Sequence, residues 1–139
     1  MLRTLTDGLD GVLVIEQAES LDLVFQAVTV SVDGNGVRTE TVVNPQNLLS
    51  LTVTLFNESN NAIINSRNAQ DILGANGGSI VSTEVRLRLQ PEDNPVVSIE
   101  LQRGDFEYHV ARFTFTWNDG VLVRTGTKEV RFAVRKTSA

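Results

Sequence analysis

A chain of 139 residues is the size of one domain and long enough to enclose a hydrophobic core. It has no cysteine, which excludes a disulfide framework and a thiolate metal site, and its net charge of −5 argues against a direct nucleic-acid partner held by bulk electrostatics. No apolar run approaches the roughly 18 residues of a membrane-spanning helix, so no membrane partner is expected either.

Along most of the chain apolar and polar residues alternate, the period of a strand with one buried face. Residues 12–16 are the first expected strand, after Asp7-Gly8 and Asp10-Gly11 turns. Residues 23–32 are the second. In it Leu23 and Phe25 share one face and Val28, Val30 and Val32 the other, so a β-bulge is expected near Ala27. Asp33-Gly34-Asn35-Gly36 turns the chain into residues 37–43, and Pro45, which cannot donate to a ladder, ends that strand. Leu49, Leu51, Val53 and Leu55 then alternate with more polar neighbours up to Phe56. Residues 57–79 differ: the segment is rich in asparagine and closes on Gly77-Gly78. Within it residues 67–73 are expected to form one short helix, capped by Asn65 or Ser66 and stopped by Gly74. A polar connection this long is either functional or a crossover between sheets.

The next expected strand, residues 80–89, turns Val85, Leu87 and Leu89 inward and Glu84, Arg86 and Arg88 outward. A turn around Pro91 and Pro95 leads to a strand marked by Val97, Ile99 and Leu101, then Arg103-Gly104-Asp105 turns into residues 106–117. Phe113, Phe115 and Trp117 alternate with Thr114 and Thr116, which places the three rings in the core. Asn118-Asp119-Gly120 is a strong hairpin signal. Residues 121–125 and 128–136 complete eight or nine strands, the last with Val130, Phe132 and Val134 inward. The class is all-β: an antiparallel β-sandwich, immunoglobulin-like or jelly-roll-like, forming a single domain over residues 1–139. Residues 29–39 and 114–125 are similar hairpins, which shared turn chemistry explains without an internal repeat.

Catalytic equipment is not expected. The one histidine, His109, lies mid-strand, and the carboxylate pairs Glu92-Asp93 and Asp105/Glu107 sit beside turns, where solvation accounts for them. Asp33-Gly34-Asn35 and residues 7–10 place oxygens near glycine but lack the ligand count of a calcium loop. No catalytic residue, cofactor, metal or small-molecule substrate is assigned. Before residue 67 two cations face eight carboxylates; from Arg67 onward ten cations meet nine. That asymmetry suits head-to-tail contact between copies or docking on a charged partner, or it vanishes as the halves fold together. The outward arginines Arg86, Arg88, Arg112, Arg131 and Arg135 form either cross-strand ion pairs or a patch for an acidic protein, as sheet order decides.

Gly104-Asp105-Phe106-Glu107-Tyr108, Ala111-Arg112-Phe113-Thr114-Phe115-Thr116, Asp119-Gly120 and Val130-Arg131-Phe132-Ala133-Val134 together resemble the closing strands of immunoglobulin-like domains, in particular β-sandwich proteins of tailed-phage virions. The resemblance spans residues 104–135. It implies a non-enzymatic virion component, in head decoration, head–tail joining, or tail and baseplate structure. Its partners would be copies of itself and other virion proteins, and its location the particle, assembled in host cytoplasm. Partner contacts are expected at Leu2 and Leu5, if residues 1–11 form an N-terminal arm rather than residues 2–6 pairing within their own sheet, at Asn60, Asn61, Asn65 and Arg67 in the polar connection, and at Arg86 and Arg88. The alternative is a ligand-binding module, such as a carbohydrate-binding or adhesin domain, which would display a row of exposed aromatics.

Overall fold

A computed structural model describes residues 2–6 and 13–137. The alternating strands close into two sheets packed on one core. The first contains β1 (Leu2–Thr6), β3 (Ser20–Phe25), β9 (Glu84–Leu89) and β8 (Gly78–Val81), in the order β1-β3-β9-β8. The second contains β2 (Val14–Glu16), β11 (Val123–Arg135), β10 (Phe106–Asn118), β6 (Leu48–Asn57) and β7 (Gln70–Asp71), in the order β2-β11-β10-β6-β7. A separate two-stranded ribbon is formed by β4 (Val28–Val32) and β5 (Arg38–Val42).

The period-2 pattern decides what is buried. Leu21, Leu23 and Phe25 of β3 and Val85, Leu87 and Leu89 of β9 face the other sheet's Leu51, Val53, Leu55, Ala111, Phe113, Phe115, Val130, Phe132 and Val134. The Phe25 and Phe113 rings meet across the layers at 4.6 Å between centroids. Phe113 and Phe115 are buried and Trp117 is half-buried against the same cluster, so the aromatic row points inward as expected. It is not an open ligand platform.

The sandwich is all-β, with departures in detail. Two edge pairings are parallel, β1 with β3 and β2 with β11, so the sheets are mixed. Leu2–Thr6 therefore pairs within its own sheet, Leu2 opposite Ser20 and Leu5 opposite Leu23, rather than reaching out as an arm, and Leu5 packs on the core. The Asp7-Gly8 and Asp10-Gly11 turns lie outside the described residues. The expected strand over 23–32 breaks at Gln26 and Ala27: its change of phase marks the chain leaving the sandwich for the ribbon, not a bulge. Leu49 is exposed, although its alternation with Leu51 predicted a core position. The β6–β10 register steps from Thr116 opposite Ser50 to Trp117 opposite Leu48, which leaves Leu49 as an extra residue turned to solvent. The expected strand over 80–89 is instead part of a tight hairpin, β8 and β9, around Ser82 and Thr83. Residues 97–101 form no strand, whereas residues 121–136 supply one long strand, β11.

The expected helix over 67–73 is absent. Asn61, Asn65, Ser66, Ala69 and Asn76 all have φ between 50° and 59°, which no α-helix accommodates. Asparagine tolerates that left-handed region better than most residues, which explains its abundance here. The segment instead folds back along the edge of β6. Ile64 N–H bonds Leu55 C=O, Leu55 N–H bonds Arg67 C=O, and Ile72 N–H bonds Leu51 C=O, with β7 between. Ile64 and Ile72 enter the core. The connection thus covers a sheet edge that would otherwise stay open. A Cβ on Gly78 would sit 1.8 Å from the Ile72 carbonyl oxygen, so glycine is what lets the segment close against β8.

Candidate interaction surface

Three hairpins project from one end of the sandwich. Phe25, which closes β3, lies opposite Val85 at the start of β9, and Gln26 Nε2 donates to Thr83 Oγ1 in the β8–β9 turn at 2.8 Å. Leu48, which opens β6, lies opposite Trp117, one residue before the end of β10. The β4–β5 ribbon, the β8–β9 turn and the β10–β11 turn therefore share this end. Thirteen large hydrophobic residues are exposed among the described residues, and ten of them are here. They are Val28, Val30, Val32, Val37 and Val42 of the ribbon, Leu49, Val81, and the Val121-Leu122-Val123 tip. Large exposed apolar patches mark contact surfaces.

The ionic groups of this end are satisfied within the chain. Arg38 pairs with Glu40, Arg86 with Glu84 and Arg124 with Asp119. The Asp33 carboxylate accepts the N–H groups of Asn35 and Val37 in its own turn. Sequence reasoning placed Val28, Val30 and Val32 on a common face but kept them in the sandwich. The phase break at Ala27 was the signal that they leave it.

Apart from Arg86, the expected contact residues lie elsewhere, and several are committed internally. Arg67 is buried and forms a two-pronged pair with Asp93, Nε to Oδ1 at 2.8 Å and an Nη to Oδ2 at 3.0 Å. Its other Nη reaches Gln70 Oε1 and the Asn76 carbonyl. Asn65 Nδ2 donates to Asp93 at 2.7 Å, and Gln90 N–H completes the set around that carboxylate. Burial alone would raise the Asp93 pKa, but hydrogen bonds from Arg67, Asn65 and Gln90 outweigh it and hold the group below its ordinary value. Arg67 is thus a structural clamp between the connection and the Pro91–Asp93 turn. The solvated-turn reading of Glu92-Asp93 fails for Asp93, which is completely buried. Asn60 Oδ1 accepts Ala62 N–H in its own turn, and Asn61 is exposed beside Ile63 and Arg112.

The outward arginines are paired. Arg88 reaches Asp22, its cross-strand partner, and Arg112 reaches Glu129. Arg131 binds Glu58 at 2.6 Å and lies over the Tyr108 ring, and Arg135 approaches Glu16 at 3.8 Å. The pairs of Arg88, Arg131 and Arg135 each join an acidic residue of the first half to an arginine of the second, so folding offsets part of the charge asymmetry. Exposed pairs like these stabilise by ~0–1 kcal/mol each.

At the opposite end Glu107 and His109 form a buried couple, with His109 Nε2 at 2.5 Å from Glu107 Oε2. Glu107 also accepts the N–H groups of Val97 and Ser98, which holds the 97–101 loop where a strand was expected. Glu107 is therefore not a solvated turn carboxylate. Burial raises its pKa, but the bonds from His109, Ser98 and Val97 leave it lowered. Burial holds the His109 ring below the ordinary histidine value of 6.5, against the pull of Glu107. Its Nδ1 is buried with no partner among the described residues, so protonation would strand an N–H. The folded value lies below the unfolded one, so stability is full above about pH 6.5 and falls as the pH drops, because the unfolded chain takes up a proton that the folded chain refuses. His109 is the single histidine. Urea midpoints are expected to decline from pH 7.5 to 5.5 in the native chain and to stay flat in His109→Asn; equal slopes in the two proteins would contradict this assignment.

The described fold and surface define a β-sandwich domain with one apolar, hairpin-built end. No family model matches the chain, and no curated protein does. Among solved structures the chain is similar to the N-terminal domain of phage TP901-1 ORF48, with 15% identity and a TM-score of 0.40, over 99% of this chain and 100% of that one.

Proposed function

We propose that this chain is a non-enzymatic structural protein of a virus particle, as in head decoration, head–tail joining or tail and baseplate structure, acting through protein–protein contact at its hairpin end. The presence of ten exposed large hydrophobic residues at that end carries the contact reading. The likeness of residues 104–135 to closing strands of tailed-phage virion domains supports the setting. The ribbon suits a direct test. Val43 N–H already bonds Ala27 C=O at its base at 2.8 Å, so residues 28–42 are replaceable by a short Gly-Gly link. The tagged intact chain is expected to band with density-purified particles at a fixed copy number, and the excised chain to fold with nearly native melting but stay off them. Absence of the intact chain from particles would refute the virion setting. Full incorporation of the excised chain would refute the contact face.

A second reading, a ligand-binding module, is favoured by a different place. A hollow of about 270 Å³ is lined by Asn57, Glu58, Glu100, Phe106 and Tyr108 among others, with Phe106 half exposed and edge-on to Tyr108. An exposed ring beside carboxylates and an amide is chemistry that grips a sugar. Glycan-array binding abolished by Phe106→Ala would support that reading over the first.

A further inference from the structure

We propose that two copies of this chain form a two-fold dimer in which β4 of one copy pairs antiparallel with β4 of the other, centred on Val30. The proposal rests on the contact reading of the hairpin end and names its partner.

All ten residues of β4 and β5 are exposed, and among the described residues neither outer edge is paired. A lone two-stranded ribbon is marginal in water, and three or more strands are needed for stability. The edge of β4 is prepared for addition. Val43 N–H bonds Ala27 C=O, and Asp33 N–H bonds Val37 C=O, at the two ends of the ribbon ladder. By the alternation of antiparallel pairing, the odd-numbered residues of β4 therefore point their backbone groups at β5, and Val28, Val30 and Val32 point theirs outward. A two-fold axis at Val30 sets Val30 against Val30 of the other copy and Val28 against its Val32. Each of the three then donates one ladder bond and accepts one.

Side-chain chemistry selects this edge over the other. Paired through β4, the ribbons bring valine against valine on one face and Thr29 against Ser31 on the other, with no charged residue in the seam. Paired through β5 about its centre, they would set Glu40 against Glu40, a like-charge contact. The valine face of β4 is continued by Val42, and the Arg38–Glu40 pair beside it is neutral, at 2.8 Å. The seam itself therefore carries no net local charge. The same patch meets itself, as a closed two-fold interface requires.

Light scattering on the eluting full chain tests the proposal. The native chain is expected at about twice its 15.2 kDa mass, and Val30→Lys at the single-chain mass, because two lysines would then meet on the axis. Val30→Pro removes only an outward N–H and is expected to give the same monomer, with circular dichroism and melting of the sandwich near native in both variants. A native monomer at about 200 μM, or a dimer that survives Val30→Lys, would overturn the proposal. If the native chain is monomeric yet excision of residues 28–42 still blocks incorporation into particles, the contact reading stands and the partner is another protein.

Discussion

Phe113→Ala is expected to destabilise the domain by about 3–5 kcal/mol, near the upper range for a single core truncation. Phe113 is fully buried at the centre of β10, flanked in register by Val53 of β6 and Lys128 of β11, and its ring meets Phe25 of the opposite sheet. Removing it opens a cavity that two facing sheets cannot both close around, and it removes a ring pair worth about 0.5–1.5 kcal/mol beyond area. Trp117 stands in the same row but is half-buried at the hairpin end, so Trp117→Ala is expected to cost clearly less. Urea unfolding of both variants checks the order. Equal losses would mean that the row is buried uniformly and that the sandwich continues over Trp117.

Asp93→Asn is expected to cost about 3–5 kcal/mol, because it leaves the buried Arg67 guanidinium without a counter-charge. The carboxylate accepts from Arg67, Asn65 and Gln90, so an amide in its place turns acceptors into a donor facing donors. The doubly apolar variant Arg67→Met/Asp93→Leu is expected to recover much of the loss, since it leaves no ion uncompensated. Denaturant midpoints of the three proteins read this directly. A single variant with near-native stability would show that water reaches Arg67 and that the clamp is solvated.

Much of the fold was legible one strand at a time. The inward sets Val85, Leu87, Leu89 and Val130, Phe132, Val134 follow from alternation, and the Asn118-Asp119-Gly120 turn joins the two longest strands as its residue types require. The candidate surface was half legible. Its valines stood in the alternation, but whether that face meets a second sheet or water depends on where the chain goes after Ala27. The surroundings of the expected contact residues were hidden for a related reason. Asn65 and Arg67 look like surface residues until Asp93, 26 residues beyond Arg67, arrives beside them.

The sequence by itself determined the all-β class, the hairpin turns and the faces of individual strands, because side-chain period and turn chemistry are local and need no partner to be read. Only the tertiary structure decided which strands are neighbours: the parallel pairing of β1 with β3, the fold-back of residues 57–79 along β6, and the projection of three hairpins from one end. The burial of Asp93, Glu107 and His109 was decided there too, since a polar group enters a core only where distant residues supply its hydrogen bonds. Those choices rest on contacts between residues far apart in the chain, and no local pattern records them.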